Sequence, residues 1–272
     1  LMCGAEVVIA SRELMRDAKA LSQYIEAESI TLLQATPTTW RGILQAGWHG
    51  SKNLKALCGG EALDDVLASQ MLSHCQSVWN MYGPTETTVW STCYQVRTPE
   101  ESKRIGRPIA NTQVYVLNEH RLPVPAGIPG ELYIGGQGLA LGYHERELLT
   151  RERFVTVSLY GHVMRLYRTG DRVVLLRDGT LVYMNRIDHQ VKLRGFRIEL
   201  GEIEETLLAH DAVKNVVVVV REVEQGDFRL VAYFVKKDDS WVSETDLRKF
   251  LGAQLPRHMV PQHFVEIKAM PL

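Results

Sequence analysis

Between residues 30 and 80 short β-rich runs alternate with helical ones, and this alternation constrains the fold more than any other feature of the 272-residue chain. "ITLLQA" (30–35) reads as a strand, and Thr36-Pro37 then supplies an N-cap and a proline at the first helical position. "LKALCGG" (54–60) is a strand closed by two glycines, a helix follows over about 62–74, and "QSVWN" (76–80) is the next strand. Upstream, "EVVIA" (6–10) reads as a strand and 12–28 as a helix with Leu21, Tyr24 and Ile25 on one side. Strand–helix–strand repetition predicts a parallel sheet covered by helices on both faces. In such sheets ligands bind beyond the carboxyl ends of the strands. Those ends are Gln34–Thr36, Leu57–Glu61 and Asn80–Glu86.

From about 105 to 187 the texture changes to strands broken by Pro and Gly, with "DRVVLLRDGTLVYMNR" a hairpin around Asp178-Gly179. The remainder reads as strand, helix (201–210), strands (215–221 and 229–235), helix (244–254) and strand (263–268). Ser243 with Asp246 makes a capping box for the second of these helices. The expected fold class is therefore α/β. A parallel-sheet region (1–104) and a β-barrel-like region (105–187) form a large subdomain, and a small α+β subdomain (188–272) follows. The joint falls in the charged stretch 186–197. The abrupt opening at Leu1 and the stop at "AMPL" predict a segment of a longer polypeptide.

Composition excludes several classes. A formal net charge of −1 argues against a nucleic-acid surface. Cys3, Cys58, Cys75 and Cys93 contain no C-x-x-C pair and predict reduced thiols of a cytoplasmic protein rather than a disulfide frame or zinc site. Apolar runs such as "VVVVV" (216–220) are too short to span a bilayer, and no leader is apparent, so no membrane partner is expected. The nine histidines show no H-E-x-x-H spacing, and no G-x-S-x-G elbow is present.

"NMYGPTETTVW" (80–90) carries the richest chemistry. A Gly-Pro turn after a strand exposes backbone N–H groups to an anion, Thr85 adds a hydroxyl, and Glu86 offers oxygen to Mg²⁺. Tyr82 presents a flat face for a base, and Asn80 can donate to and accept from a base edge. The same residues also suit a tight turn capped by Thr85 and Glu86. Asp171, in "YRTGDR" (167–172), suits two ribose hydroxyls, or a turn that caps itself. By spacing alone the stretch 185–204 reads as a charged connector leading into an acidic helix start. "GGQGLALGY" (135–143) fails the dinucleotide spacing and reads as loop glycines in a β region.

Together and in order, "NMYGPTETT", "GELYIGGQGLALGY", "YRTGDR", "NRIDHQVKLRGFRIELGEIE" and "LPRHMVP" resemble the amino-acid adenylation domains of nonribosomal peptide synthetases, within the adenylate-forming superfamily. The resemblance runs through practically the whole chain. It implies that an amino-acid carboxylate attacks ATP with Mg²⁺, giving an aminoacyl-AMP. The aminoacyl group then passes to the phosphopantetheine thiol of a carrier (thiolation) domain, in a synthetase that also carries condensation domains. By the same resemblance Asn80 and Tyr82 address adenine, with Gly60, Glu61 and Ala62 on its other side. Gly83 and Thr85 meet phosphate, Glu86 holds Mg²⁺, and Asp171 and Arg186 hold the ribose. Asp188 is the implied hinge. Gln34, Leu57, Gly59, Met81, Val89 and Trp90 match the side-chain pocket, and this small, uncharged set implies glycine, with alanine or another small residue as fallback.

Asn185 and Leu141 depart from the family's usual glycine and arginine. The family's Ser/Thr/Gly-rich phosphate loop and its catalytic lysine segment would lie before Leu1 and after Leu272, so the segment alone is expected not to complete adenylation. An acyl- or aryl-CoA ligase of the same superfamily is one rival reading. A non-catalytic binding or scaffold relative is the other, and it would predict damage to nucleotide residues that here are intact.

Overall fold

In the computed structural model, residues 4–188, 190–224, 227–237 and 241–270 are described. The chain divides into two compact units, Leu1–Ile187 and Asp188–Leu272.

In the first unit, helix α1 (Ala18–Ala27) starts where Asp17 accepts hydrogen bonds from the Lys19 and Ala20 amides. Strand β1 (Leu32–Ala35) leads to α2 (Pro37–Gln45), capped by the Thr36 side chain with proline in the first turn. Strand β2 (Ser51–Gly59), helix α3 (Asp65–His74) and strand β3 (Cys75–Tyr82) follow. The three strands pair in parallel in the order β1-β2-β3.

That order explains a departure from the expected coverage. Right-handed crossovers that step repeatedly in one direction return every helix to the same face. Leu54, Ala56, Cys58 and Val78 accordingly face α1–α3 and pack with Leu21, Ile25, Trp40, Ile43, Leu67 and Met71. On the opposite face Leu32 is 56% exposed, and Lys55 and Gln34 are exposed too. Among the described residues helices thus cover the parallel strands on one face only. "EVVIA" forms no strand, because residues 6–10 find no pairing partner, and Val7 and Ile9 stay exposed. The helix expected over 12–28 begins only at Ala18, after a short 3₁₀ turn (Leu14–Arg16).

Pairing turns antiparallel at β4 (Thr92–Val96), inside the stretch 1–104, and continues through β5 (Arg104–Pro108). Strands β6 (Thr112–Leu117) and β7 (Pro129–Gly136), helix α4 (Glu147–Arg153), and strands β8 (Phe154–Leu159), β9 (His162–Leu175) and β10 (Leu181–Arg186) complete the unit. The β-rich region is continuous with the parallel strands. One ten-stranded sheet runs β1-β2-β3-β4-β5-β10-β9-β7-β6, with β8 paired to β9. The turn between β9 and β10 closes at Asp178-Gly179, with Gly179 at φ +80°.

The second unit opens with a hairpin, β11 (Gln190–Leu193) and β12 (Phe196–Glu199), whose two turn residues, Arg194 and Gly195, both have positive φ. Helix α5 (Leu200–Leu208), strands β13 (Val213–Glu224) and β14 (Asp227–Lys236), helix α6 (Glu244–Gln254) and strand β15 (His263–Glu266) follow. The strands form a sheet in the order β13-β14-β15, and Ile203, Leu207, Leu247 and Leu251 of the helices pack on Val216, Val218, Leu230 and Ala232. Ser243 and Asp246 form the full capping box at the start of α6.

Candidate active site

Strand β3 ends at Tyr82, and residues 83–91 turn back into β4. Gly83 is compelled by space: a Cβ there would lie 2.4 Å from the Val89 carbonyl oxygen and 2.7 Å from Trp90 Cα. Thr88 and Val89 both occupy the left-handed region, at φ +62° and +66°. Each β-branched residue there carries strain of about 1–3 kcal/mol, so the surroundings must hold the turn in place. They do so from several sides. Ser91 N donates to Tyr82 O (2.8 Å) and Trp90 N to Thr88 O (2.8 Å). The loop after β7 is strapped on as well: Ala140 N donates to Glu86 O (2.9 Å) and Thr88 Oγ1 to Gly138 O (2.7 Å). Gly138 is needed at that contact, since a Cβ would stand 2.9 Å from Thr87 O.

Within this frame Thr85 is exposed and Glu86 buried. Tyr143 donates its hydroxyl to Glu86 Oε1 at 2.5 Å. Burial first, and then this hydrogen bond, push the Tyr143 hydroxyl well above the ordinary tyrosine range, so it remains a donor. Mg²⁺ is commonly held by one or two carboxylates together with phosphate oxygens and water. A fixed carboxylate beside an exposed hydroxyl is a donor set of that kind. Among the described residues no cluster of three or more His, Cys, Asp or Glu could hold a metal by itself.

Tyr82 leads to a second group of candidates. Its hydroxyl donates to Asp171 Oδ2 at 2.5 Å, and Arg186 Nη1 donates to Asp171 Oδ1 at 2.9 Å. Asp171 is buried and Arg186 partly so, their side chains 4% and 9% exposed. Burial and then the Asp171 charge push the Tyr82 hydroxyl well up, so the proton stays on the tyrosine. Three residues distant in sequence are thus joined at Tyr82, where strand β3 runs into the 83–91 turn. Glu131, joined to Tyr133 and Arg168, reaches the same strand through the Gly170 amide.

Two nucleotide candidates are used differently from expectation. Asn80 is buried, and its amide donates to the carbonyls of Ser102 (2.7 Å) and Arg104 (2.9 Å). Both donors are spent, so only the acceptor oxygen remains for a base edge. Glu61 accepts from Thr38 N (3.3 Å) and Thr38 Oγ1 (2.7 Å). Its Oε2 therefore caps the N-terminus of α2, where a negative charge is stabilised, while Oε1 is buried with no hydrogen-bond partner. Gly60 takes φ +90°.

The side-chain candidates converge on the open sheet face. Register pairs Gln34 with Leu57 and Gly59 with Met81, and alternation puts all four on one side. A Cβ on Gly59 would meet Met81 O at 2.4 Å and the Trp90 ring at 2.5 Å (Cη2) and 2.7 Å (Cζ3), so the indole lies directly on the glycine. Val89, 60% exposed, lies at the turn's tip. Asp188 begins the second unit and accepts from Gln190 N at 3.3 Å. Leu141 and Asn185 are exposed. Sequence reasoning missed Tyr143, Glu131 and Thr169 as supporting residues. A carboxylate inside the otherwise apolar "ELYI" was the one signal available for Glu131.

No helix among the described residues is long and apolar enough to cross a membrane. The sequence matches the AMP-binding enzyme family over residues 1–144 and the AMP-binding enzyme C-terminal domain over 202–272. A dimodular nonribosomal peptide synthase of Bacillus subtilis (strain 168) is 47% identical over 277 residues, covering 100% of this chain and 11% of the relative. Tyrocidine synthase 3 of Brevibacillus parabrevis is 40% identical over 276 residues, covering 100% of this chain and 4% of the relative. The chain thus spans only a small part of these curated relatives. The crystal structure of a holo four-domain nonribosomal peptide synthetase bound to AMP and glycine superposes with a TM-score of 0.64 at 45% identity, covering 97% of this chain and 20% of that one. With the family match extending over more than half of its residues and these relatives spanning its full length, the chain belongs to the AMP-binding enzyme family.

Proposed function

We propose that this chain is the amino-acid-activating part of a nonribosomal peptide synthetase, and that it converts a small amino acid, glycine first, into its aminoacyl-AMP. The observation that carries the reading is the Tyr82–Asp171–Arg186 group, joined at Tyr82 to the root of the 83–91 turn. A carboxylate has about four acceptor sites, and Tyr82 and Arg186 engage one on each oxygen. Asp171 therefore retains capacity for the hydroxyls of a ribose. Tyr82 and the Asn80 oxygen face the base, with the Gly60–Ala62 backbone opposite. Gly83 and Thr85 take the phosphates.

In the first half-reaction a carboxylate oxygen of the amino acid attacks the α-phosphorus. The bond from phosphorus to the oxygen bridging to the β-phosphate breaks, and pyrophosphate leaves with that electron pair. Mg²⁺, when bound at Glu86, neutralises charge on the phosphate oxygens. The chain's own part is placement: Thr85 donates to phosphate, Tyr143 holds Glu86, and Asp171 with Arg186 fixes the sugar. In the second half-reaction the phosphopantetheine thiol of a carrier domain attacks the acyl carbon, and AMP departs. We assign Asp188, where the two units divide, as the pivot between these steps. Condensation domains of the same synthetase would consume the thioester.

The glycine assignment is supported by Trp90 resting on Gly59 and by the relative crystallised with glycine. Amino-acid-dependent ATP–pyrophosphate exchange tests both levels, in the polypeptide that carries this chain. Exchange peaking at glycine is expected. A peak at a larger amino acid overturns the glycine assignment alone. Turnover only with fatty or aryl acids and CoA, or none with any acid, overturns the whole proposal.

A further inference from the structure

The strand that carries Asp171 is irregular at that residue. Glu131 of β7 pairs with Arg172 of β9, and Tyr133 pairs with Arg168. Between these pairs, Leu132 alone faces Thr169, Gly170 and Asp171, so β9 bulges by two residues. An ordinary half-buried strand alternates, yet all three bulged residues are buried. Bulges of this kind turn a side chain away from its ladder position.

A bulge frees backbone groups that must be satisfied where water is excluded. Here five of them have partners. Arg186 Nη2 donates to Thr169 O (3.0 Å), Ile187 N to Gly170 O (2.8 Å), and Asp171 N to Thr169 Oγ1 (3.0 Å), while Thr169 Oγ1 donates to Leu132 O (2.7 Å). The Gly170 amide, immediately before Asp171, goes to a side chain: it donates to Glu131 Oε1 at 3.1 Å. That carboxylate is 8% exposed and is itself fixed. Arg168 Nε donates to both of its oxygens, at 2.9 and 3.0 Å, and the Tyr133 hydroxyl donates to Oε2 at 3.3 Å. A buried charge replaces the sheet carbonyl that a regular ladder would have supplied.

We propose that Glu131 is a positioning residue for nucleotide recognition: it holds the 169–171 bulge in the form that aims the Asp171 carboxylate at Tyr82 and Arg186, and so at the ribose hydroxyls. This rests on the ribose role proposed for Asp171. Aspartate at position 131 keeps the charge for Arg168 but is one methylene too short to reach the Gly170 amide; glutamine keeps the reach and loses the charge. Both variants should loosen the aim of Asp171 without touching the amino acid or the phosphates.

The test is the KM for ATP against the KM for 2′-deoxy-ATP and 3′-deoxy-ATP, measured by pyrophosphate exchange in the polypeptide that carries this chain. Wild type should favour ATP, and Asp171→Asn should abolish that preference. Glu131→Asp and Glu131→Gln should raise the KM for ATP about tenfold, the scale of one hydrogen bond to a charged group. They should raise the KM for either deoxy-nucleotide, which keeps one hydroxyl, by less than they raise the KM for ATP, and leave the amino-acid KM unchanged. A partly misfolded sample lowers the active fraction but not this ratio of KM values, so either variant that yields soluble protein decides the matter. If Asp171→Asn loses the preference while both Glu131 variants keep it, the positioning role is wrong and the ribose assignment stands. If Asp171→Asn itself keeps the preference, the ribose assignment falls and Glu131's role falls with it.

Discussion

Replacing Trp90 by phenylalanine tests whether the indole sets the size of the accepted amino acid. Carbon atoms pack comfortably at about 3.5–4.0 Å. A carbon placed over Gly59 would lie 2.5 Å from Cη2 and 2.7 Å from Cζ3 of Trp90, well inside that limit. Those two atoms form the far edge of the indole, and phenylalanine stops short of them. The substitution therefore withdraws the wall where Leu57, Gly59 and Met81 line the open sheet face, and it leaves an aromatic ring on the 83–91 turn.

A hydrophobic pocket distinguishes substrates differing by one methylene by about 1–3 kcal/mol, or roughly 10–200-fold in kcat/KM. The ratio of kcat/KM for glycine over alanine should therefore drop by about tenfold or more in Trp90→Phe. Most of the change should lie in alanine, which gains a place for its methyl. Pyrophosphate exchange with each amino acid in turn gives the ratio, which is independent of protein yield. Gly59→Ala serves as the control. Its methyl would also meet the Met81 carbonyl at 2.4 Å, a backbone contact that phenylalanine at 90 does not relieve. Trp90→Phe should therefore fail to rescue it. A glycine-to-alanine ratio that moves by less than about twofold in soluble Trp90→Phe would refute the role given to the indole.

Tyr82→Phe removes a hydroxyl from the buried Asp171 carboxylate and should destabilise the fold by about 1–3 kcal/mol in urea titration; no measurable loss would show that Arg186 alone satisfies the carboxylate. Cys75 is buried, and burial, partly countered by Lys52, pushes its thiol from 9.0 up to about 11. An unfolded thiol ionises first, so this contribution is fully present below about pH 9 and is lost as the pH rises towards 11. Cys75→Ala should accordingly flatten stability against pH in that window by about 1.4 kcal/mol per pH unit, and an unchanged slope would contradict it. Ser243→Ala removes the cap of α6 and should cost about 1 kcal/mol in the second unit, read by urea titration; a loss below about 0.3 kcal/mol would mean that Asp246 alone secures that helix start.

The elements most legible in the sequence carry their own punctuation. Thr36-Pro37, Ser243 with Asp246, and Asp178-Gly179 each specify a local hydrogen-bond pattern within a few residues, and each forms as read. What was not legible depends on partners far away. "EVVIA" has strand composition, but a strand exists only against a neighbour. Coverage on one face follows from strand order, which residue composition does not encode. Asn80 gives its donors to carbonyls 22 and 24 residues on, and Glu61 caps a helix 23 residues back, so neither use shows in the motif around it. The bulge at 169–171 exists only by comparison with β7, which Glu131 joins 39 residues before Gly170.

These distant partners share one task. Strand β3 pairs in parallel with β2 and antiparallel with β4, so the 83–91 turn leaves the carboxyl edge of the parallel strands and must reverse within nine residues. Thr88 and Val89 take a left-handed backbone that β-branched side chains oppose, and such a turn left to itself would relax. It is held instead from separate parts of the chain. The 137–143 loop binds Glu86 and Thr88 through their oxygens, and Asp171, aimed by its bulge, takes the Tyr82 hydroxyl at the turn's root. Stabilising charge that develops during a phosphoryl transfer depends on donors already in place before the reaction begins. The buried carboxylate inside a strand and the loop that holds two β-branched residues at positive φ, which ordinary folding rules explain least, are therefore what would keep Thr85, Glu86 and Asp171 in place for the proposed chemistry.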